Sequence, residues 1–161
     1  MDWHGPAVAP MSDDDTRQAI ADFLAQHSTL VLATVDALNR PLAASLFFAA
    51  DPELNLYWLS AATSRHSQNL AARPAVAVTV HNETWTWSAI AGVQMEGQAA
   101  LVPAGAAWQA SWALYQAKFP FVLELETVAR QSNFYIFRPG WMRLIDNSLG
   151  FGHKIEFGIR P

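Results

Sequence analysis

Apolar residues recur along this chain with two different periods, and the switches between them outline the fold. Ile20, Phe23, Leu24 and His27 follow one another at helical spacing. They lie behind Ser12 and Asp15, a capping-box-like start in which an aspartate stands in for the usual Glu/Gln. The pattern predicts an amphipathic helix over 13–26. Three strand-like runs follow at 30–35, 42–49 and 54–60, separated by "DALNRP" and "ADPE", and their spacing predicts an antiparallel meander. The stretch "SRHSQNLAA" predicts a short helix stopped before Pro74, because the residue preceding a proline disfavours helical geometry. Further strands are expected at 75–80 and 89–102, with Gly92 and Gly97 as candidate bulges or bends in the longer one.

After Pro103 the period changes. Trp108, Trp112, Tyr115 and Phe119 step by four, three and four, the apolar stripe of a helix, and large aromatics at that spacing are expected to pack in a core. A second short helix is expected over 122–130. Strands return at 134–138, 141–146 and 154–159, the last placing Ile155, Phe157 and Ile159 on one face. Strands dominate over helices, so the expected fold is mainly β: a small antiparallel barrel with a few flanking helices, α+β by content. At 161 residues the chain suits one domain, taken as 12–161, behind a loose tail at 1–11 that holds two prolines and a glycine.

Composition narrows the function. With 52% apolar and 15% charged residues the chain is globular, and a net charge of -4 with scattered basic residues leaves no footprint for a nucleic acid backbone. The absence of cysteine removes disulfides, thiolate nucleophiles and Cys-based metal sites. His4, His27, His81 and His153 show no local metal-ligand spacing, so no metal is expected. No basic segment leads into an apolar one near the N-terminus and no apolar run is long enough to span a bilayer, so a cytoplasmic protein without membrane contact is expected.

Candidate chemistry concentrates in "LSAATSRHSQNLAARP", residues 59–74. Ser60, Thr63 and Ser64 offer short hydroxyls, and Arg65 offers a planar fork of donors suited to two phosphate oxygens. If Ser64 caps the short helix, backbone N–H groups point at the same spot and the helix dipole favours an anion there. The same residues read equally as an ordinary N-cap, a solvated arginine and a histidine at a helix end. "LGFGHK" lacks phosphate-loop spacing, so Gly150 and Gly152 are read as turn residues, with Asp146 and Asn147 bracing the turn. "NETWTW" reads as a hairpin connection.

The arrangement "LNLYWLSAATSRHSQNLAARPAVAVTV" resembles the flavin-binding stretch of the pyridoxamine-5′-phosphate-oxidase-like, FMN-binding split β-barrels, in which a strand, a polar loop, a Ser-Arg-Lys triplet and a helix follow in order. Ser64, Arg65 and His66 fall on the triplet. "WMRLIDNSLGFGHK" is similar to the end of a bacterial branch of these barrels that carries Asp-Asn-Ser/Thr-Leu-Gly-Phe-Gly. The resemblance implies an antiparallel split β-barrel, FMN held near a homodimer interface, and oxidoreductase chemistry on a small substrate. It implies that Ser64, Arg65 and His66 meet the phosphate with Ser60 and Thr63 assisting, that Leu59 and Ser60 present backbone groups, and that Ser45 and Leu46 edge the isoalloxazine ring. His66 in the lysine position implies FMN affinity that falls as pH rises through about 7. Pyridoxamine-phosphate oxidases carry an arginine and a lysine near the positions of Ala43 and Phe48, and a glutamine near Gly92, so oxidation of pyridoxamine phosphate is not implied. The alternatives are a non-catalytic flavin-binding or dimeric module, and a haem-binding split barrel using His153.

Overall fold

Ser12 starts the first helix as its spacing predicts. In the computed structural model, which describes residues 11–158, its hydroxyl accepts the Asp15 amide and donates to the Asp15 carboxylate, opening α1 (Asp13–Gln26). Ile20 and Leu24 are fully buried on the inner face of that helix. The tail at 1–10 and Ile159 lie outside the described residues.

Eight strands follow: β1 (Thr29–Val35), β2 (Pro41–Phe47), β3 (Ala49–Ala50), β4 (Leu56–Ser60), β5 (Ala75–His81), β6 (Ala91–Leu101), β7 (Asn133–Asp146) and β8 (Lys154–Gly158). Helices α2 (Arg65–Ala72), α3 (Ala106–Lys118) and α4 (Glu126–Arg130) interrupt them. Every pairing is antiparallel, in the order β2-β1-β5-β6-β7-β4-β3 with β8 beside β7. The two ends of that order, β2 and β3, are consecutive in the chain, joined through Phe48, so a single kinked segment curls the sheet round into a split barrel. Phe48 and Ala49, adjacent in sequence, are both buried, Phe48 in the barrel core and Ala49 in a second core outside it. Leu46 and Ala50 also pack toward the barrel core, so the in-and-out alternation runs unbroken through Phe48, and what changes there is the pairing partner, from β1 to β4.

The expected meander is therefore present only as two hairpins. β1 pairs with β2 and β3 with β4, while β1 also meets β5 and β4 also meets β7. The third run begins at Leu56 rather than 54, because Leu54 takes a positive φ of 67° in the turn that links the hairpin.

The two strands expected at 134–138 and 141–146 are one strand of 14 residues. Pro139 has no N–H to give a ladder, and it lies opposite Gly97 where the β6–β7 register shifts. Gly97 thus marks the bulge the sequence suggests, whose extra residue is Gly140 on the facing strand, whereas Gly92 stays in register opposite His81 and Ile145. The segment 122–130 divides into a 3-10 turn over Pro120–Leu125, with Pro120 at its first position, and α4.

The first half of β7 explains the two cores. Phe134, Tyr135, Ile136 and Phe137 are all buried because both faces are covered: Tyr135 and Phe137 face the barrel core, and Phe134 and Ile136 face α3. Trp112 and Tyr115 of α3, with Phe119 capping its end, complete that outer core, as their spacing predicts.

Candidate functional site

The closure of the barrel is incomplete at one place. Ala49 pairs with Tyr57 and Ala50 with Leu56; the same register continued would set Phe47 against Leu59 and Leu46 against Ser60, and those pairs do not form. β2 and β4 diverge instead, leaving a split bordered by Ser45, Leu46 and Phe47 on one side and by Leu59 and Ser60 on the other. The β4 residues keep their bonds to Phe134 and Asn133 of β7 on the far edge. The Tyr115 hydroxyl reaches the Phe47 carbonyl at 3.5 Å, and burial raises that phenol to about 12. Phe47, Phe119 and Phe121 pack edge-to-face or tilted at 5.3–5.7 Å between centroids, giving this end an aromatic wall.

At the end of β4 the chain turns into α2, and Ser64 is its cap. The Ser64 hydroxyl accepts from the Ser67 amide and donates to Ser67 Oγ at 2.7 Å. Among the described residues no acceptor takes the amides of Arg65 and His66, the orphan donors of a first helical turn. His66 Nε2 contacts the buried Ser60 hydroxyl and lies 3.1 Å from Ser64 Oγ, so the imidazole bridges the two serines. Burial holds His66 below the usual 6.5, which leaves it neutral at pH 7. Thr63 is exposed beside them.

Arg65 leans away from this ring of hydroxyls. Half exposed, its Nη2 lies 3.6 Å from Asp36 Oδ2. Asp36 accepts the backbone amides of Arg40 and Leu38 and the Arg40 guanidinium, led by the Arg40 amide, and these bonds hold its carboxyl down at about 2. α2 is tied to the same hairpin by a buried bond from Asn69 Nδ2 to Thr34 Oγ1 at 2.9 Å and by Arg73 to Asn39 Oδ1 at 2.6 Å. Asp36 was not among the residues picked out from sequence; the available signal was its spacing of four from Arg40 in the "DALNR" turn.

The remaining positions fall as follows. Ser45 is exposed on β2 and Leu46 packs toward the barrel core. Leu59 packs against the outer core, so only its backbone faces the split. Phe48 is fully buried, with Lys118 Nζ 4.0 Å from its ring centre, and Ala43 is exposed. A side chain at Gly92 would meet the Val80 carbonyl at 3.0 Å, so the glutamine of the family pattern has no direct replacement there. Gly150 and Gly152 take positive φ in the turn between β7 and β8, and Asp146 braces it by accepting the Ser148 amide and hydroxyl. Asn147 binds the Trp87 carbonyl and the Gly152 amide, joining that turn to the β5–β6 connection.

A model of the pyridoxamine 5′-phosphate oxidase family matches residues 16–146, a span that runs from α1 to the end of β7 and includes both borders of the split. The chain belongs to the pyridoxamine 5′-phosphate oxidase family. A UPF0306 protein of Yersinia pseudotuberculosis is 28% identical over 153 residues, covering 91% of this chain and 96% of its own. Among solved structures, a conserved hypothetical protein of Mycobacterium tuberculosis is 19% identical, with a TM-score of 0.74 over 99% of this chain and 98% of that one. The heme storage protein HutZ of Vibrio cholerae is 22% identical, with a TM-score of 0.69 over 84% of this chain and 97% of that one. These likenesses give this oxidase-family member the split-barrel fold. No helix among the described residues is long and apolar enough to cross a membrane.

Proposed function

We propose that this protein is an FMN-binding flavoprotein that acts as an oxidoreductase on a small substrate, with the phosphate held at the start of α2 and the ring system at the split between β2 and β4. The observation that carries the reading is the continuity of the two: an unpaired strand edge at Leu59 and Ser60 runs directly into a helix start with two free amides, three hydroxyls and a guanidinium. That donor set suits a phosphate dianion. FMN, when bound, supplies the electron or hydride transfer, and no side chain has to.

For phosphate to enter, the Ser60 and Ser64 hydroxyls exchange their bonds to His66 for bonds to phosphate oxygens, and Arg65 swings from Asp36. The first move replaces neutral contacts by charge-assisted ones, and the second exchanges the long Arg65–Asp36 ion pair for direct bonds to the phosphate. Leu46 and the Phe47–Phe119–Phe121 wall offer apolar surface to the ring. We place the protein as a homodimer with the flavin near its interface, in the cytoplasm.

The test is reconstitution. Titration with FMN, followed by quenching of flavin fluorescence, is expected to saturate at one flavin per chain. Arg65→Ala is expected to weaken binding at least tenfold, as loss of a charge-assisted pair worth about 1.5–3 kcal/mol requires. An unchanged titration places the phosphate elsewhere, and absence of saturation removes the flavin reading. Bleaching of bound FMN by NADH or NADPH separates an enzyme from a non-catalytic module.

Haem is the second reading, supported by the fold shared with a protein named for heme storage and by the Nε2 of His153, which lacks a hydrogen-bond partner. That nitrogen is fully enclosed, so it meets an iron only if the 147–153 turn opens. A Soret band in place of two flavin bands in the absorption spectrum decides for haem.

A further inference from the structure

At the opposite end of β4 from Ser60 lies a cavity that the flavin reading does not use. It occupies about 350 Å³ between α3 and the outer face of β4 and β7, within the size range of small-molecule pockets. It exists because α3 presents the small side chains of Ala107, Ala110 and Ser111 there, while Val102, Leu114 and Ile136 form an apolar wall.

Two polar groups converge on it. The Tyr57 hydroxyl donates to Asp51 Oδ2 at 2.9 Å, and Asp51 also accepts the Asn55 amide and Nδ2, so that carboxylate is occupied on its own side. Arg138, on the same strand face as Phe134 and Ile136, has no hydrogen-bond or ion-pair partner among the described residues. Asp51, though it lines the same cavity, is not within ion-pair distance of it. A free guanidinium at the rim of an apolar pocket is complementary to an apolar body carrying one anionic head, and a planar carboxylate matches it through two parallel hydrogen bonds.

We propose that this cavity is a binding site for a small aryl or short-chain monocarboxylate, its carboxylate on Arg138 and its apolar part against Val102, Leu114 and Ile136. Bound there, the ligand bridges α3 to β4 and β7. The site is separate from the helix start at Ser64.

Benzoate, with benzyl alcohol as its uncharged counterpart, tests the proposal by ligand-observed NMR on the full chain. Benzoate is expected to bind saturably and more tightly than the alcohol. Arg138→Gln is expected to weaken benzoate roughly tenfold while leaving the alcohol unchanged. Ala110→Phe, on the exposed rim of the cavity, is expected to abolish both. FMN titration of each variant is expected to match the parent, which keeps this site distinct from the flavin site. Equal binding of benzoate and alcohol, benzoate binding that survives Ala110→Phe, or no saturable benzoate binding up to millimolar concentration overturns it.

Discussion

At Gly97 a methyl group would lie 2.1 Å from the Arg138 carbonyl oxygen, a backbone atom fixed in the β6–β7 ladder. Neither strand can yield without breaking pairs on both sides of the bulge. Gly97→Ala is therefore expected to destabilise the fold by about 1–3 kcal/mol or more, read as a lower urea midpoint with an unchanged slope. His66 carries the second consequence at this scale. Its folded value is depressed below the 6.5 of the unfolded chain, so between those two values the unfolded state binds more protons. Its contribution to stability is full above pH 6.5 and is lost as pH falls through the lowered folded value. Parent and His66→Gln are expected to differ in the pH dependence of their urea midpoints only below about pH 6.5. The same depression moves the onset of any gain in FMN affinity on acidification below the neutral value that an ordinary histidine implies.

Among elements, the junction of α1 with α3 rests on one side chain. Lys118 Nζ donates to the His27 carbonyl at 2.6 Å and to the Leu24 carbonyl at 3.1 Å, satisfying groups that the end of α1 leaves unpaired, and it stands over the Phe48 ring. Burial lowers this lysine from 10.5 to about 8. Between those values the unfolded chain holds the extra proton, so stability rises with pH across that window. Lys118→Met is expected to destabilise by about 1–3 kcal/mol, because two carbonyls lose their donor, and to remove that alkaline rise in a urea series. A variant with the parent's midpoint and the parent's pH slope would show that the cap carries no free energy.

For the molecule as a whole, the proposed homodimer is expected to form through the outward face of β1, β5, β6 and β7. Val31, Ala33, Ala77, Thr79 and Trp141 line a groove of about 650 Å³ there, and Ala33 and Ala77 are exposed. A self-complementary pairing of one such face with another is the commonest symmetric arrangement of oligomers. Sedimentation equilibrium is expected to give twice the chain mass, and Ala77→Glu, which places two like charges near the centre of the pair, to give a monomer that keeps its far-UV spectrum. A parent that sediments as a monomer removes the dimer from the functional proposal.

What the chain's own order determined is local: the helix begun by Ser12, the cap at Ser64, the aromatic stripe of α3, and the glycine turn at 150–152. Each depends on sterics and hydrogen bonds that reach only a few residues, so each was legible as a spacing. The break of β2 at Phe48 and the fusion of two expected strands into β7 were not, because both are settled by where a distant partner strand sits. The same holds for the candidate site. The hydroxyls, Arg65 and His66 could be picked out from one short run, but Asp36 facing Arg65, His66 bridging Ser60 and Ser64, and the split beside Leu59 needed the closed barrel. The longest side-chain hydrogen bond among the described residues, from Lys118 to the Leu24 carbonyl, spans 94 residues. Contacts at such separations follow from chain closure, which lowers free energy only through the whole core and leaves no mark on any single stretch of sequence.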